Sequence, residues 1–183
     1  MFDIKPILKR PIVLVGLMGA GKTSVGKLLA RRLGLPFIDS DREIVRAAGT
    51  SVVDIFSIYG EREFRRVEER IVRRLLSDGE VRIVSTGEGA YIIDSVRKLA
   101  RDRAVTVWLR ADLDLLVKRT SFKDTRPLLL NHSPGEILQR LIDERYPIYA
   151  KADITVETRN EPTFKTADNV LAALAGFLRK GRK

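Results

Sequence analysis

The stretch Gly16-Leu17-Met18-Gly19-Ala20-Gly21-Lys22-Thr23 fits the phosphate-binding form G-x-x-x-x-G-K-S/T at every fixed position, and it constrains the chain more than any other feature. A phosphate tail needs many donors at short range. A glycine-rich turn supplies them, because successive backbone N–H groups point into one concavity with no Cβ atoms in the way. Gly19, Ala20 and Gly21 are therefore read as backbone donors and Lys22 as a mobile cation. Thr23 and Ser24 open a helix whose free N–H groups and positive dipole end attract anions, and the Thr23 hydroxyl is placed to ligate Mg²⁺. The bland alternative is a glycine turn followed by an incidental Lys-Thr. The setting argues against it: Ile12-Val13-Leu14-Val15 reads as a buried strand entering the turn, and 24–33 reads as the helix leaving it.

The length of 183 residues suits one domain with one substantial core. No apolar run approaches the roughly 20 residues needed to span a bilayer. The first residues lack the apolar region and small-residue cleavage site of a signal peptide, so a cytoplasmic enzyme without membrane partners is expected. There is no cysteine, which excludes disulfides and thiolate-held metal. With 34 Lys plus Arg against 24 Asp plus Glu, the net charge of +10 calls for an anionic partner. The arginines are scattered over expected helices and one loop, and aromatics are only 7% of the chain. That arrangement suits a site for polyphosphate and an anionic metabolite better than a base-stacking surface for nucleic acid. The closing Arg179-Lys180-Gly181-Arg182-Lys183 reads as a solvated tail.

Along the chain, Val25, Leu28, Leu29 and Leu33 recur at helical spacing, and Gly34 follows as a helix-ending residue. Leu35-Pro36-Phe37-Ile38 reads as a second strand ending in Asp39-Ser40-Asp41, which places carboxylates at the carboxyl edge of the sheet. Ser51 and Asp54 form a capping box for a helical region that Gly60 interrupts. Beyond Gly60, Phe64, Val67, Ile71 and Leu75 form an apolar stripe, with arginines beside it that pair with Glu61, Glu68 and Glu69 on a largely solvated face. Arg65 stands one step from the stripe, so it can point inward. A third strand over 81–85 leads into Thr86-Gly87-Glu88-Gly89-Ala90, a short helix covers 94–100, and the apolar run over 104–109 reads as a strand covered on both faces. Trp108 belongs to that core. After a helix over 112–120, the polar segment from Ser121 through His132 reads as a mobile lid over about 121–131. Ser133-Pro134-Gly135-Glu136 then restarts a helix, which Pro147 should disturb near its end. Ile154-Thr155-Val156 is a fifth strand, and Val170, Leu174, Phe177 and Leu178 mark a final helix. Strands alternating with helices imply a three-layer α/β/α arrangement around a parallel sheet of about five strands.

With these residues placed, most of the chain resembles the shikimate kinase family, small P-loop kinases with the nucleoside-monophosphate-kinase-like form of the P-loop NTPase fold. The resemblance rests on the octet at 16–23, Asp39-Ser40-Asp41, Gly60-Glu61-x-x-Phe64-Arg65-Arg66-x-Glu68, Gly87-x-Gly89-Ala90, Arg126-Pro127-Leu128-Leu129 and Arg145-x-Pro147-x-Tyr149. It implies transfer of the γ-phosphoryl of ATP to the 3-hydroxyl of shikimate, with Mg²⁺, in aromatic amino-acid biosynthesis, by a monomer of one domain. Thr23 and Asp39 would then serve the metal, and the helical region over about 41–77 would take the acceptor. Asp41 would bind the acceptor's hydroxyls and orient or deprotonate the attacking one, while Arg65, Arg145 and the Gly87-Glu88-Gly89 loop would surround its ring and carboxylate. Lys22 and the lid residue Arg126 would act on the phosphates, and Arg119 would stack on adenine.

One position departs from the family, which commonly carries three consecutive glycines where this chain reads Gly87-Glu88-Gly89. Glu88 either intrudes on the acceptor pocket, points to solvent, or pairs with a nearby arginine, Arg65 or Arg145, occupying it until the acceptor displaces it. The closest rival reading is another small-metabolite kinase of the gluconate-kinase type, which would share the ATP machinery without the carboxylate-holding arginines. A third reading makes the chain a basic binding module without catalysis.

Overall fold

Ile12–Val15 (β1), Phe37–Asp39 (β2), Ile83–Ser85 (β3), Val105–Ala111 (β4) and Ile154–Thr158 (β5) pair in parallel as one five-stranded sheet of order β2-β3-β1-β4-β5. This is seen in a computed structural model that describes residues 4–120 and 133–180. The central strand β1 lies between β3 and β4, with Leu14 opposite Ser85 on one side and Val107 on the other. Its four side chains, Ile, Val, Leu and Val, alternate between the two faces yet are all at most 1% exposed, so helices must cover the sheet on both sides. The edge strand β5 alternates buried and exposed residues instead.

The helices are Lys22–Leu33 (α1), Ser40–Ala48 (α2), Val52–Ser77 (α3), Asp94–Arg103 (α4), Leu113–Thr120 (α5), Pro134–Tyr149 (α6) and Thr163–Lys180 (α7). α1 packs on β3 and on α7, while α4 packs on β4 and on α3. The expected three-layer architecture is therefore the observed one. Gly34 closes α1 in the left-handed conformation, with φ 61°, and its N–H bonds Ala30 O. Ser51 caps α3 by accepting from Asp54 N, and Gly60 breaks the helical path with φ 79° and ψ 169°. Both features follow the sequence reading.

Several boundaries differ from it. The sequence does not distinguish the short helix α2 within the helical region over 41–77, because its buried apolar face is Ile44 alone. β2 and β3 begin two residues later than expected, since only Phe37–Asp39 and Ile83–Ser85 pair across the sheet. α6 runs through Pro147 and ends at Tyr149, so proline costs this helix one amide donor without ending it. Ser133 occupies the N-cap position of α6 but its side chain makes no cap hydrogen bond. The expected lid over 121–131, and with it Arg126 and His132, lies outside the described residues.

Candidate active site

All five strands deliver candidate site residues at their carboxyl ends, where ligands of open α/β sheets bind. The phosphate loop follows β1, Asp39 ends β2, the Gly87-Glu88-Gly89 loop follows β3, α5 with Arg119 follows β4, and Thr158 ends β5. They surround a cleft of about 640 Å³ whose walls also include Asp41, Arg65, Glu68 and Thr163.

At its phosphate end, Gly16, Gly19 and Gly21 have φ values of 144°, 80° and 94°, conformations that residues with a Cβ rarely adopt. They turn the chain sharply so that α1 begins with its amino end facing the cleft. Lys22 folds back along the loop, and its Nζ donates to Gly16 O at 2.7 Å and Leu17 O at 2.9 Å. Thr23 Oγ1 donates to Asp39 Oδ2 at 3.0 Å, so the two expected metal ligands already stand side by side. Asp39 also caps α2 by accepting from Asp41 N at 3.1 Å. Arg119 bridges the two sides of the nucleotide end, donating to Gly19 O at 3.2 Å and to Arg159 O at 3.0 Å. Ala20 and Ser24 line the same end of the cleft.

At the other end the carboxylates of Asp41 and Glu68 both close on Gly87. Asp41 presents its edge to the cleft but has protein on most sides, and its pKa is pushed up to about 6, first by burial and then by the charge of Asp39, with Lys22 opposing. Glu68 is completely buried, and burial raises its pKa to about 7 against the pull of Arg65. Its Oε2 accepts from Arg65 Nη1 at 2.8 Å, while its Oε1 has no hydrogen-bond partner among the described residues. Arg65 Nη2 also reaches Glu61 at 3.2 Å, and the guanidinium lies 5.3 Å from the Phe64 ring centre and 6.0 Å from that of Phe56.

The glycines of the second loop are needed for close approach. A Cβ on Gly89 would sit 1.8 Å from Arg65 Nη1, and one on Gly87 would sit 2.5 Å from Glu68 Oε1 and 2.6 Å from Asp41 Oδ1. Glu88 is different. Its side chain turns to Arg145, with Oε1 3.4 Å from Arg145 Nη1, so of the two arginines that the sequence offers as its partner it meets Arg145 and not Arg65. Its backbone oxygen accepts from the Tyr149 hydroxyl at 2.5 Å.

The structure thus gathers Gly19, Ala20, Gly21, Lys22, Thr23, Ser24, Asp39, Asp41, Arg65, Gly87, Glu88, Gly89 and Arg119 around one cleft, whereas Arg145 touches it only through Glu88. Glu68 is the residue whose place the sequence misrepresented. Among glutamates and arginines at helical spacing it resembles a solvated partner, and the signals to the contrary are its step of three from Arg65 and its place in the family motif that opens at Gly60. Thr158, Thr163 and Thr166 at the nucleotide end carried no motif at all.

A family-wide sequence profile described as shikimate kinase matches residues 18–175. The chain belongs to the shikimate kinase family. It is 48% identical over 167 residues to the shikimate kinase of Rhizobium meliloti (strain 1021), covering 91% of this chain and 86% of that protein. Its structure is similar to that of a shikimate kinase from Acinetobacter baumannii in complex with shikimate, with a TM-score of 0.87, 36% identity, and coverage of 91% and 93% of the two chains. A gluconokinase from Sinorhizobium meliloti 1021 shares the fold alone, at a TM-score of 0.64 and 21% identity over 94% and 95% of the chains.

Proposed function

We propose that this protein phosphorylates shikimate, moving the γ-phosphoryl group of ATP to the 3-hydroxyl, as a cytoplasmic monomer of one domain. The observation that carries the reading is the convergence, in a chain of this family, of a phosphate loop and a carboxylate-and-arginine acceptor end on one cleft. Phosphoryl transfer asks the protein for alignment and charge neutralisation more than for covalent help. The loop N–H groups and Lys22 hold the phosphates, and nucleotide binding would draw Lys22 Nζ from the loop carbonyls toward them. Asp41, with its raised pKa still below 7, is ionised at neutral pH and can accept the proton of the attacking hydroxyl. Arg65 recognises the acceptor's carboxylate with a planar fork that Glu68 and Glu61 hold in place. Arg126 would close over the phosphates, a role that rests on its sequence alone.

The donor set suits Mg²⁺. Thr23 Oγ1 and Asp39 Oδ2 are hard oxygens beside the phosphate loop, and among the described residues no group of three or more acidic or histidine side chains forms an all-protein metal cage. That fits an ion held by one or two protein oxygens, phosphate and water. Bound there, the ion would neutralise charge on the β- and γ-phosphate oxygens.

The test is a coupled ADP-release assay with shikimate, gluconate, nucleoside monophosphates and no acceptor. Turnover with shikimate alone is expected. Comparable turnover with gluconate would overturn the assignment in favour of the rival kinase class, and turnover with no acceptor at all would point to hydrolysis.

A further inference from the structure

We propose that Glu88 is an internal stand-in for the acceptor's carboxylate: it covers and neutralises Arg145 in the acceptor-free enzyme, so that acceptor binding exchanges one carboxylate for another on that guanidinium. The inference deepens the shikimate reading and rests on it for the identity of the incoming ligand.

Four observations carry it. First, position 88 is where the second glycine loop has room for a side chain, since a Cβ at either neighbour would collide with Arg65, Glu68 or Asp41. A glutamate at 88 therefore adds a group to the site without displacing the loop. Second, Arg145 is not part of the cleft wall, whereas Glu88 is, and the two side chains are only 12% and 18% exposed. An incoming carboxylate thus meets Glu88 before it meets Arg145. Third, the backbone of Glu88 is pinned by the hydroxyl of Tyr149, which is 0% exposed and packs at 6.1 Å between ring centres on Trp108. With the backbone held, the side chain is the part that can swing. Fourth, the Glu88–Arg145 pair is incomplete: at 3.4 Å the charges attract, but among the described residues the buried Arg145 Nη1 finds no hydrogen-bond acceptor. A ligand carboxylate that supplies an aligned hydrogen bond gains what Glu88 leaves unmade, and so can displace it.

Glu88 in this role sets specificity. It raises the acceptor concentration needed for half-saturation, and in exchange it keeps Arg145 from being occupied by small anions that lack the rest of shikimate's contacts. Acceptors that also engage Asp41 and Arg65 can complete the exchange. Simple monocarboxylates, which lack those contacts, complete it only weakly.

The experiment compares the full-length protein with Glu88→Gln and Glu88→Gly. The glutamine is nearly isosteric, so a folding defect in one variant does not stop the test, and thermal unfolding checks both. Four quantities are read: the Michaelis constants for shikimate and for ATP, the inhibition constant of cyclohexanecarboxylate against shikimate, and direct binding of cyclohexanecarboxylate followed through the fluorescence of Trp108, the single tryptophan of the chain. The expected result is a roughly three- to tenfold fall in the shikimate constant and in both cyclohexanecarboxylate constants, with the ATP constant moving less than about twofold. A merely structural loop residue would shift the ATP constant and the thermal midpoint alongside. Unchanged or weaker binding of shikimate and cyclohexanecarboxylate in both folded variants would overturn the proposal. The fluorescence titration separates it from the functional reading. If neither variant nor parent phosphorylates shikimate, that reading fails, while tighter cyclohexanecarboxylate binding in the variants still supports the masking of Arg145 and equal binding rejects it.

Discussion

Lys22 and Gly89 show how differently single residues of this site are constrained. Lys22 is held by two loop carbonyls and is nonetheless a cation that phosphates can recruit, so its value lies in charge. Lys22→Ala is expected to lower kcat by about 10²- to 10³-fold, the scale of losing one preorganised charge-stabilising donor. The thermal midpoint should fall by no more than a few degrees. The ADP-release assay and circular dichroism on the same sample check both parts, and near-normal turnover in the folded variant would refute the phosphate role. Gly89 has φ −90°, which any residue adopts, so its constraint is purely steric. Gly89→Ala forces Arg65 off the loop and should raise the Michaelis constant for shikimate by about tenfold or more, with the ATP constant little changed. Equal constants for both substrates would mean that Arg65 relaxes without consequence.

Among the elements, α3 is the one whose geometry decides the acceptor end. Its first part carries Phe56 and its second part carries Phe64, Arg65 and Glu68, and the break at Gly60 sets the angle between them. At φ 79° and ψ 169° the backbone lies in a region that glycine alone enters without strain, and nothing lies within 4 Å of where a Cβ would be. The cost of Gly60→Ala is therefore conformational: about 1–3 kcal/mol of stability, read from the shift of the urea midpoint. A shift near zero would mean that α3 passes through this point as a continuous helix in solution. The sequence located Gly60 as an interruption because glycine between helix formers is an ordinary break signal, yet it gave no angle. It also left α2 unresolved, since a short helix with one fully buried apolar side chain has almost no periodicity to read.

At the scale of the whole molecule, burying Glu68 beneath the sheet edge ties stability to pH. Its folded pKa of about 7 lies above the ordinary 4.5, so the folded state favours the protonated acid. The stability associated with that proton is fully present below pH 4.5 and is lost as pH rises through about 7. Glu68→Gln removes the titration. The parent should therefore lose stability relative to Glu68→Gln across that window, measured as the difference between urea midpoints at pH 5, 6 and 7.5. A difference that does not change with pH would show that Arg65 keeps Glu68 ionised throughout.

By itself the sequence determined what local chemistry determines. The phosphate loop, the carboxylates after β2, the glycine pair after β3 and the alternation of strands with helices are written in short runs of residues, and from them follow the parallel sheet and the edge at which ligands bind. Trp108 in the core and Gly34 ending α1 were legible for the same reason, since burial of an apolar strand and the left-handed helix end depend on few neighbours. Tertiary structure alone decided which charges are buried and which of those distant in the sequence meet. Arg65 and Glu68 are three residues apart, but that Glu68 is fully buried beside Asp41 depends on β3 carrying Gly87 between them. Glu88 and Arg145 are 57 positions apart in the numbering, and nothing in either neighbourhood chooses Arg145 over Arg65 as the partner. The packing of α6 beneath the loop makes that choice, by placing Tyr149 under the Glu88 carbonyl and Arg145 one turn earlier on the same helix. Long-range electrostatic pairing is set by the positions of whole elements, and those positions are fixed by the buried core rather than by the charged residues themselves.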